Sequence, residues 1–436
     1  MTNVVNHHLI LISFDAVTSE DYNIISNLTN FSYCINEGSY VKRVKTIYPS
    51  LTYPAHATIV TGKYPKNHGI INNTLLQPGQ SSPDWYWYRK DIMCDTIYDL
   101  ARKENLSVAS LLWPVTGKAN IKYNMPEIFP NRKYQNQIMV SLLNGSPLYQ
   151  FELNSKFGSI REGLNQPELD NFILASTIHT IKKYKPNLTL IHFTDVDTMR
   201  HRYGTNSKEA MEALVRHDCR LGTIIKALKE SNIYENSTLV LLGDHGFIDV
   251  KKTIALNSLF KDRGLITVNN EGKITDWKAY VKSCDGSAYI YLKDKKDKKT
   301  LTTLKELIYS LKSQGTFGID SILTGKEASK WGADSSCAFM LEAENSYYFV
   351  EDHEGDIINT IESKQTSEDS YPILGAHGYS PKKSSLDTLF ITTGKGIKKG
   401  LVLEEMNLVD VAPTIAKILD LNLKNVDGKA IKSILK

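Results

Sequence analysis

Three aspartates and three histidines, spread over most of the chain, have the types and settings of metal ligands. Asp15 ends the apolar run "HLILISFD", Asp197 and His201 stand four residues apart in "DVDTMRHRYG", Asp244 and His245 are adjacent in "GDHGF", and His377 lies in "LGAHGY". Carboxylate oxygen and imidazole nitrogen are donors that Zn²⁺ accepts, and Mn²⁺ takes similar ones. Six such donors divide naturally between two ions. Thr52, in "SLTYPAHATIVTGKYPKNHGI", adds a hydroxyl at what reads as the mouth of a helix. Pro54 suits the first turn, Ala55 to Val60 is apolar enough to be buried, and a helix N-terminus favours anions. A threonine hydroxyl is a poor nucleophile at neutral pH, but a bound Zn²⁺ lowers the pKa of a coordinated oxygen acid from about 16 to about 7, as it does for water.

Each residue also has a plainer reading. Thr52 reads as an N-cap, closing the helix and doing nothing else. Each aspartate reads as a turn residue that ends a strand. His68, His192 and His217 are read as structural, since a lone histidine more often packs than ligates.

The elements that must position these groups follow from hydrophobic pattern. "HLILISFD", "LTLIHFTDVD" and "STLVLLGDHG" are continuous apolar runs that end in Asp15, in Asp195 and Asp197, and in Asp244. Such runs, separated by helical stretches, predict buried parallel strands with crossover helices, and ligand groups gather beyond the carboxyl ends of such strands. Three aspartates on one rim is the expectation. Residues 207–232 repeat apolar positions at helical spacing, with Ser207 as N-cap, and 407–421 reads as a second amphipathic helix after a strand at 386–396. From about 255 to 365 the regular alternation stops, and short β-like runs ("WKAYVKSC", "SAYIYLK", "CAFMLEA", "SYYFVED") surround a helical "LTTLKELIYSLKSQ". That texture predicts an α+β insertion, residues 255–365, within a core made of 1–254 and 366–436.

Length and composition bound the rest. A chain of 436 residues suits a large α/β core with an insertion, and a net charge of +4 is too weak to imply nucleic-acid binding. The apolar run near the N-terminus, Leu9 to Phe14, is too short for a signal peptide or membrane span. Five scattered cysteines without a CxxC pair indicate neither a disulfide framework nor a thiolate zinc site, so a cytoplasmic protein is expected.

Taken in order, Asp15 after the first strand, "SLTYPAHATIVTGKYPKNHGI", "DVDTMRHRYG", "GDHGF", "GAHGY" and "VDVAPTIAKIL" resemble the alkaline phosphatase superfamily. Within it, the run around Thr52 is similar to the nucleotide pyrophosphatase/phosphodiesterase family. The resemblance implies an α/β core with a central, mainly parallel sheet flanked by helices, and two Zn²⁺ ions. It implies that Asp197, His201 and His377 hold one zinc and that Asp15, Asp244 and His245 hold the second, which also touches the nucleophile Thr52. Asn73, in "HGIINN", matches the asparagine that holds a non-bridging phosphoryl oxygen, with Asn72 as its adjacent alternative. Tyr53 stands where the family has a phenylalanine whose face can stack on a leaving-group ring. "LLWPVTGK" resembles a W-P-G-S segment near the pocket, with Val115 and Thr116 in place of glycine and serine.

The implied reaction is hydrolysis of a phosphodiester or phosphoanhydride through a phosphothreonine, on a small-molecule diester or nucleotide and without a nucleic-acid or membrane partner. No arginine stands near the Thr52 motif to neutralise a dianion, which favours diesters over monoesters; Arg89 and Arg132 are the distant candidates. A sulfatase is disfavoured, because Thr52 and His56 stand where that branch carries cysteine or serine and arginine. A phosphomonoesterase or phosphonate hydrolase of the same superfamily and a metal-binding scaffold without turnover are the alternatives. The aromatic stretch "PDWYWYRK" is a candidate wall for a nucleobase.

Overall fold

The computed structural model describes residues 6–362 and 372–436; the expected return to the core between 365 and 366 lies outside them. Its centre is an eight-stranded sheet in the order Leu401–Asn407, Gly38–Lys45, Thr388–Gly394, Ser237–Leu242, His8–Phe14, Leu188–Phe193, Val108–Leu111, Tyr123–Met125. The three aspartate-bearing runs are neighbours here and run parallel, with Phe14 beside Phe193 and Ser13 beside Leu242. Asp15, Asp197 and Asp244 therefore share the carboxyl rim, as their sequence settings predict. Thr388–Gly394 is a strand as expected, but it runs antiparallel to both of its neighbours. Its amino end, which follows the His377 loop, consequently lies at that same rim.

Alternation along the central strands sorts their side chains into two cores. Ile10, Ile12 and Phe14 face one way, packing with Leu214, Leu221 and Ile225 of the helix Lys208–Glu230. Leu9, Leu188 and Val240 face the other way, against Ile59 of the helix Thr52–Thr61 and Ile415 of the helix Val411–Ile418. Layers of helices on both faces explain why these strands are apolar throughout. Ser207 caps its helix, accepting from the Ala210 N–H at 3.2 Å. The helix expected over 407–421 is shorter: a capping box of Asn407 and Asp410 opens a 3₁₀ turn at Leu408–Asp410 that runs into Val411–Ile418, and Asp420 beyond it is in the left-handed region at φ 53°.

Residues within 255–365 build a separate antiparallel sheet, ordered Ala279–Cys284, Ser287–Leu292, Phe339–Ala343, Ile319–Thr324. The helix Lys298–Gln314 accompanies it, burying Leu304, Ile308 and Leu311. Asp285-Gly286 closes the first hairpin as a two-residue turn, with φ of 58° at Asp285. A Cβ on Gly286 would stand 2.2 Å from the Tyr379 ring, so the turn needs glycine to approach the His377 loop. The Gly286 N–H also donates to the His377 carbonyl at 2.8 Å. A third sheet joins Ile248–Ile254, just after the Asp244-His245 motif, to Ser346–Phe349, Ile358–Thr360 and Gly375–Ala376. Among the described residues no helix is long and apolar enough to cross a membrane.

Candidate active site

The helix that carries Thr52 spans Thr52–Thr61 and is buried along its whole length. Its N-cap is Leu51, in extended conformation and without a side-chain cap, and Gly62 ends it in the left-handed region at φ 68°. The reading of Thr52 as the cap is thereby corrected. Thr52 is the first helical residue, its hydroxyl makes no capping bond, and Oγ1 instead lies 3.0 Å from His245 Nε2. Ser50, two residues earlier, is stitched to the His377 loop: its carbonyl accepts from His377 Nδ1 at 3.1 Å and from the Gly378 N–H at 2.9 Å.

All six expected ligands converge on this point. Asp197, His201 and His377 offer atoms within 4.8 Å of one another, and so do Asp15, Asp197 and His245, which makes Asp197 common to both sets. Asp244 joins them, its Oδ2 3.4 Å from His245 Nε2, while its Oδ1 accepts from the Ala16 N–H at 3.1 Å. Backbone carbonyls fix two of the imidazoles. His201 Nδ1 donates to Gly375 O at 2.9 Å and His377 Nδ1 to Ser50 O, which leaves both Nε2 atoms free to ligate.

The donor set fits a divalent cation. Asp15 Oδ1, Asp197 Oδ1 and Asp244 Oδ2 are buried without a hydrogen-bond partner, an arrangement that is costly unless something positive satisfies it. Burial first, then the neighbouring Asp244 and Asp197, pushes the Asp15 carboxyl well above its ordinary range in the absence of a cation. Burial, with His245 and His201 close by, holds His377 well below the usual imidazole value, as the neutral ring that a metal requires.

A cleft of about 300 Å³ opens on this cluster, bounded at one end by Asp15, Thr52, Asp197, His201 and His377. Asn73 lines it and accepts from the Tyr53 N–H through Oδ1 at 2.9 Å, a bond that leaves its amide nitrogen uncommitted. Asn72 is instead tied to the Ser283 carbonyl at 2.8 Å and to Cys284 Sγ. Tyr53 also lines the cleft, its ring 5.1 Å from Trp85, which in turn packs edge-on against Phe129 at 5.2 Å. One residue of "PDWYWYRK", Trp85, thus reaches the cleft. Trp113 is buried against His56, and Thr116 donates to the Trp113 carbonyl at 2.6 Å.

Several residues lie where sequence reasoning did not look for them or gave them another role. Arg89 is engaged by Asp99 and Arg132 by Asp84, at 2.8 Å for the second pair, whereas Arg161, not singled out, lines the cleft and stacks over Phe172. His68 and His217 are structural: the first lies 3.0 Å from Thr58 Oγ1, the second packs on Phe14. His192, read the same way, touches the site, its Nε2 3.0 Å from Asp15 Oδ2 and its Nδ1 3.0 Å from Glu127 Oε2. Burial opposes a charged ring there, but those two carboxylates outweigh it and hold His192 well above the ordinary imidazole value. An imidazole inside an apolar buried strand needs a polar partner, and that was the available signal. Asp285 arrives from the insertion hairpin, with Oδ2 3.8 Å from His377 Nε2.

A family model described as type I phosphodiesterase / nucleotide pyrophosphatase matches residues 9–380. The chain belongs to this family. Human ectonucleotide pyrophosphatase/phosphodiesterase family member 1 is 27% identical over 238 residues, covering 52% of this chain and 22% of that protein. Venom phosphodiesterase 2 of Crotalus adamanteus is 26% identical over 257 residues, covering 56% and 27%. The chain thus spans about a quarter of the length of these two relatives. An uncharacterized pyrophosphatase/phosphodiesterase of Schizosaccharomyces pombe is 24% identical over 98% of this chain and 80% of its own. Among solved structures, murine ectonucleotide pyrophosphatase/phosphodiesterase 5 superimposes with a TM-score of 0.68 at 20% identity, covering 99% of this chain and 100% of that one. The family fold, a large mostly parallel sheet flanked by helices, is therefore shared.

Proposed function

We propose that this chain hydrolyses phosphodiester or phosphoanhydride bonds of nucleotides or other small diesters, using Thr52 as nucleophile at a two-metal site. The observation that carries the reading is the Thr52 hydroxyl: it is left free by the cap at Leu51 and stands beside His245 among partnerless carboxylate oxygens. We assign one ion to Asp197, His201 and His377 and the other to Asp15, Asp244 and His245, following the family resemblance, with Zn²⁺ the first choice and Mn²⁺ compatible with the same donors. Bound there, divalent cations lower the pKa of the Thr52 hydroxyl and offset charge on the phosphoryl and leaving oxygens.

The chain's own groups supply the rest. The Thr52 oxygen forms a bond to phosphorus as the bond to the leaving oxygen breaks, giving a phosphothreonine, and water then cleaves it. The amide nitrogen of Asn73 and the N-terminal N–H groups of the Thr52 helix are fixed donors for the non-bridging oxygens. Trp85 offers a ring face to a base or other leaving group, with the buried Tyr53 ring packed against it. A murine relative's structure is described as an inactive threonine-to-alanine variant in complex with AMP, which supports both a threonine nucleophile and a nucleotide ligand.

With Arg89 and Arg132 held by aspartates, a neutral amide facing the phosphoryl group favours the singly charged diester. Arg161 is the observation that favours a second reading, a monoester or phosphonate, because it brings a cation into the cleft. Residues 255–365 are assigned as an insertion that lends Asp285 to the surroundings of His377. The five cysteines, all unpaired, are consistent with a cytoplasmic site of action. The test is metal content by elemental analysis alongside hydrolysis of a chromogenic diester and the matching monoester. Two ions per chain with diester preference is expected; monoester preference would move the substrate class, and neither metal nor turnover would leave a scaffold.

A further inference from the structure

The two oxygens of Asp15 have different surroundings. Oδ1 is buried without a hydrogen-bond partner and lies 3.3 Å from His245 Nε2, facing the expected ion, whereas Oδ2 faces His192 Nε2 at 3.0 Å. Behind the ring, His192 Nδ1 meets Glu127 Oε2 at 3.0 Å and the Leu112 carbonyl at 3.2 Å. Glu127 Oε1 then accepts from the Tyr53 hydroxyl at 3.3 Å. The His192 ring is fully buried, while Glu127 is partly open and lines the cleft. One line of contacts therefore runs from a ligand carboxylate, through an imidazole and a second carboxylate, to the side chain next to the nucleophile.

We propose that His192 and Glu127 are positioning residues of the metal centre, an inference that rests on Asp15 being a ligand. A carboxylate with two free oxygens can turn about its last torsion and present either oxygen, or both, to an ion. His192 occupies Oδ2, so Asp15 meets the ion through Oδ1 alone. A histidine ring held at only one nitrogen could still rotate away. Glu127, with the Leu112 carbonyl beside it, engages the second nitrogen and fixes the ring plane, as outer carboxylates do for groups around metal sites. Its other oxygen carries the restraint to Tyr53, so the ring wall of the cleft and the ligand are set by one side chain.

The test is zinc binding by the purified apo protein, measured by competition with a chromogenic chelator. His192→Phe is expected to weaken one of two ions by about tenfold to a hundredfold, leaving the other unchanged. Glu127→Ala should weaken that same ion by a smaller factor, and Glu127→Gln, which keeps an oxygen for His192 Nδ1, should restore it. If His192→Phe does not fold, the Glu127 pair decides alone, since its side chain reaches the cleft. Wild-type affinity at both ions in the His192 and Glu127→Ala variants would overturn the proposal. So would equal weakening at both ions with a lowered melting temperature, the mark of a merely structural role. Asp15→Asn separates the two levels of argument: if it too retains both ions, the ligand assignment itself fails, whereas loss of an ion there with none in His192→Phe sinks only the positioning role.

Discussion

Thr52 Oγ1 and His245 Nε2 stand 3.0 Å apart at the start of a helix that Leu51 caps, so the hydroxyl is committed to neither capping nor packing. Thr52→Ala is expected to lower kcat by about a thousandfold or more, because the neighbouring hydroxyl at the helix mouth, Ser50, is committed to the Tyr379 carbonyl at 2.9 Å. The six acidic and imidazole donors remain, so bound metal should stay near two ions per chain. Steady-state kinetics and elemental analysis on the same preparation check both halves. Retained turnover would identify water as the attacking group.

Chelation should destabilise the fold as well as stop the reaction. Without cations, Asp15, Asp197 and Asp244 keep partnerless buried oxygens close together. Ions that bind only the folded chain stabilise it by RT ln(1 + [L]/Kd), about 4 kcal/mol at a thousandfold excess over Kd. Melting curves with chelator, and again after zinc is restored, should differ by several degrees. Identical curves would show that the carboxylates tolerate one another unaided.

What could be read without coordinates was local. Apolar runs ending in Asp15, Asp197 and Asp244 specified adjacent parallel strands, because both faces of such a sheet are covered and their common rim is where loops emerge. Strand direction is not encoded in an apolar run, so the antiparallel setting of Thr388–Gly394 became visible only through its register with Leu242. The partners of His192 are likewise distant in sequence: Asp15 and Glu127 lie 177 and 65 residues away. In "TDVD", composition does not distinguish Asp195 from Asp197; the helix they share points one at arginines and the other at the cluster.

That difference gives a paired prediction. Asp195 is buried beneath Arg216, at 2.7 Å from both Nε and Nη2, and Arg220 at 2.8 Å. Asp195→Ala takes the carboxylate from half-buried Arg216 and leaves buried Arg220 with Asp170 at 3.4 Å; it should cost about 3 kcal/mol, the low end for a broken buried pair, with zinc content unchanged in the protein that folds. Asp197→Ala should do the reverse, losing metal while the apo protein unfolds at nearly the wild-type denaturant midpoint. Denaturant titrations of the two apo proteins, with metal analysis, distinguish the roles. Equal loss of metal in both would mean that Asp195 also ligates.

Glu342, which is not one of the cluster's donors, should make stability depend on pH. It is buried between the insertion sheet and the core, accepting from the Tyr48 hydroxyl at 2.8 Å and from the Ser380 N–H at 2.9 Å. Burial pushes its carboxyl from 4.5 up to about 7. Between those values the folded chain keeps a proton that the unfolded chain releases, so stability falls as pH rises through the window and levels off above it. The loss amounts to about 3 kcal/mol at most, at 1.36 kcal/mol per unit. Glu342→Gln cannot titrate, so unfolding free energies at pH 5 and pH 8 should differ less in that variant than in the wild type. All other groups contribute equally to both proteins, and the same pH slope in each would show that Glu342 is already ionised in the folded state at pH 5.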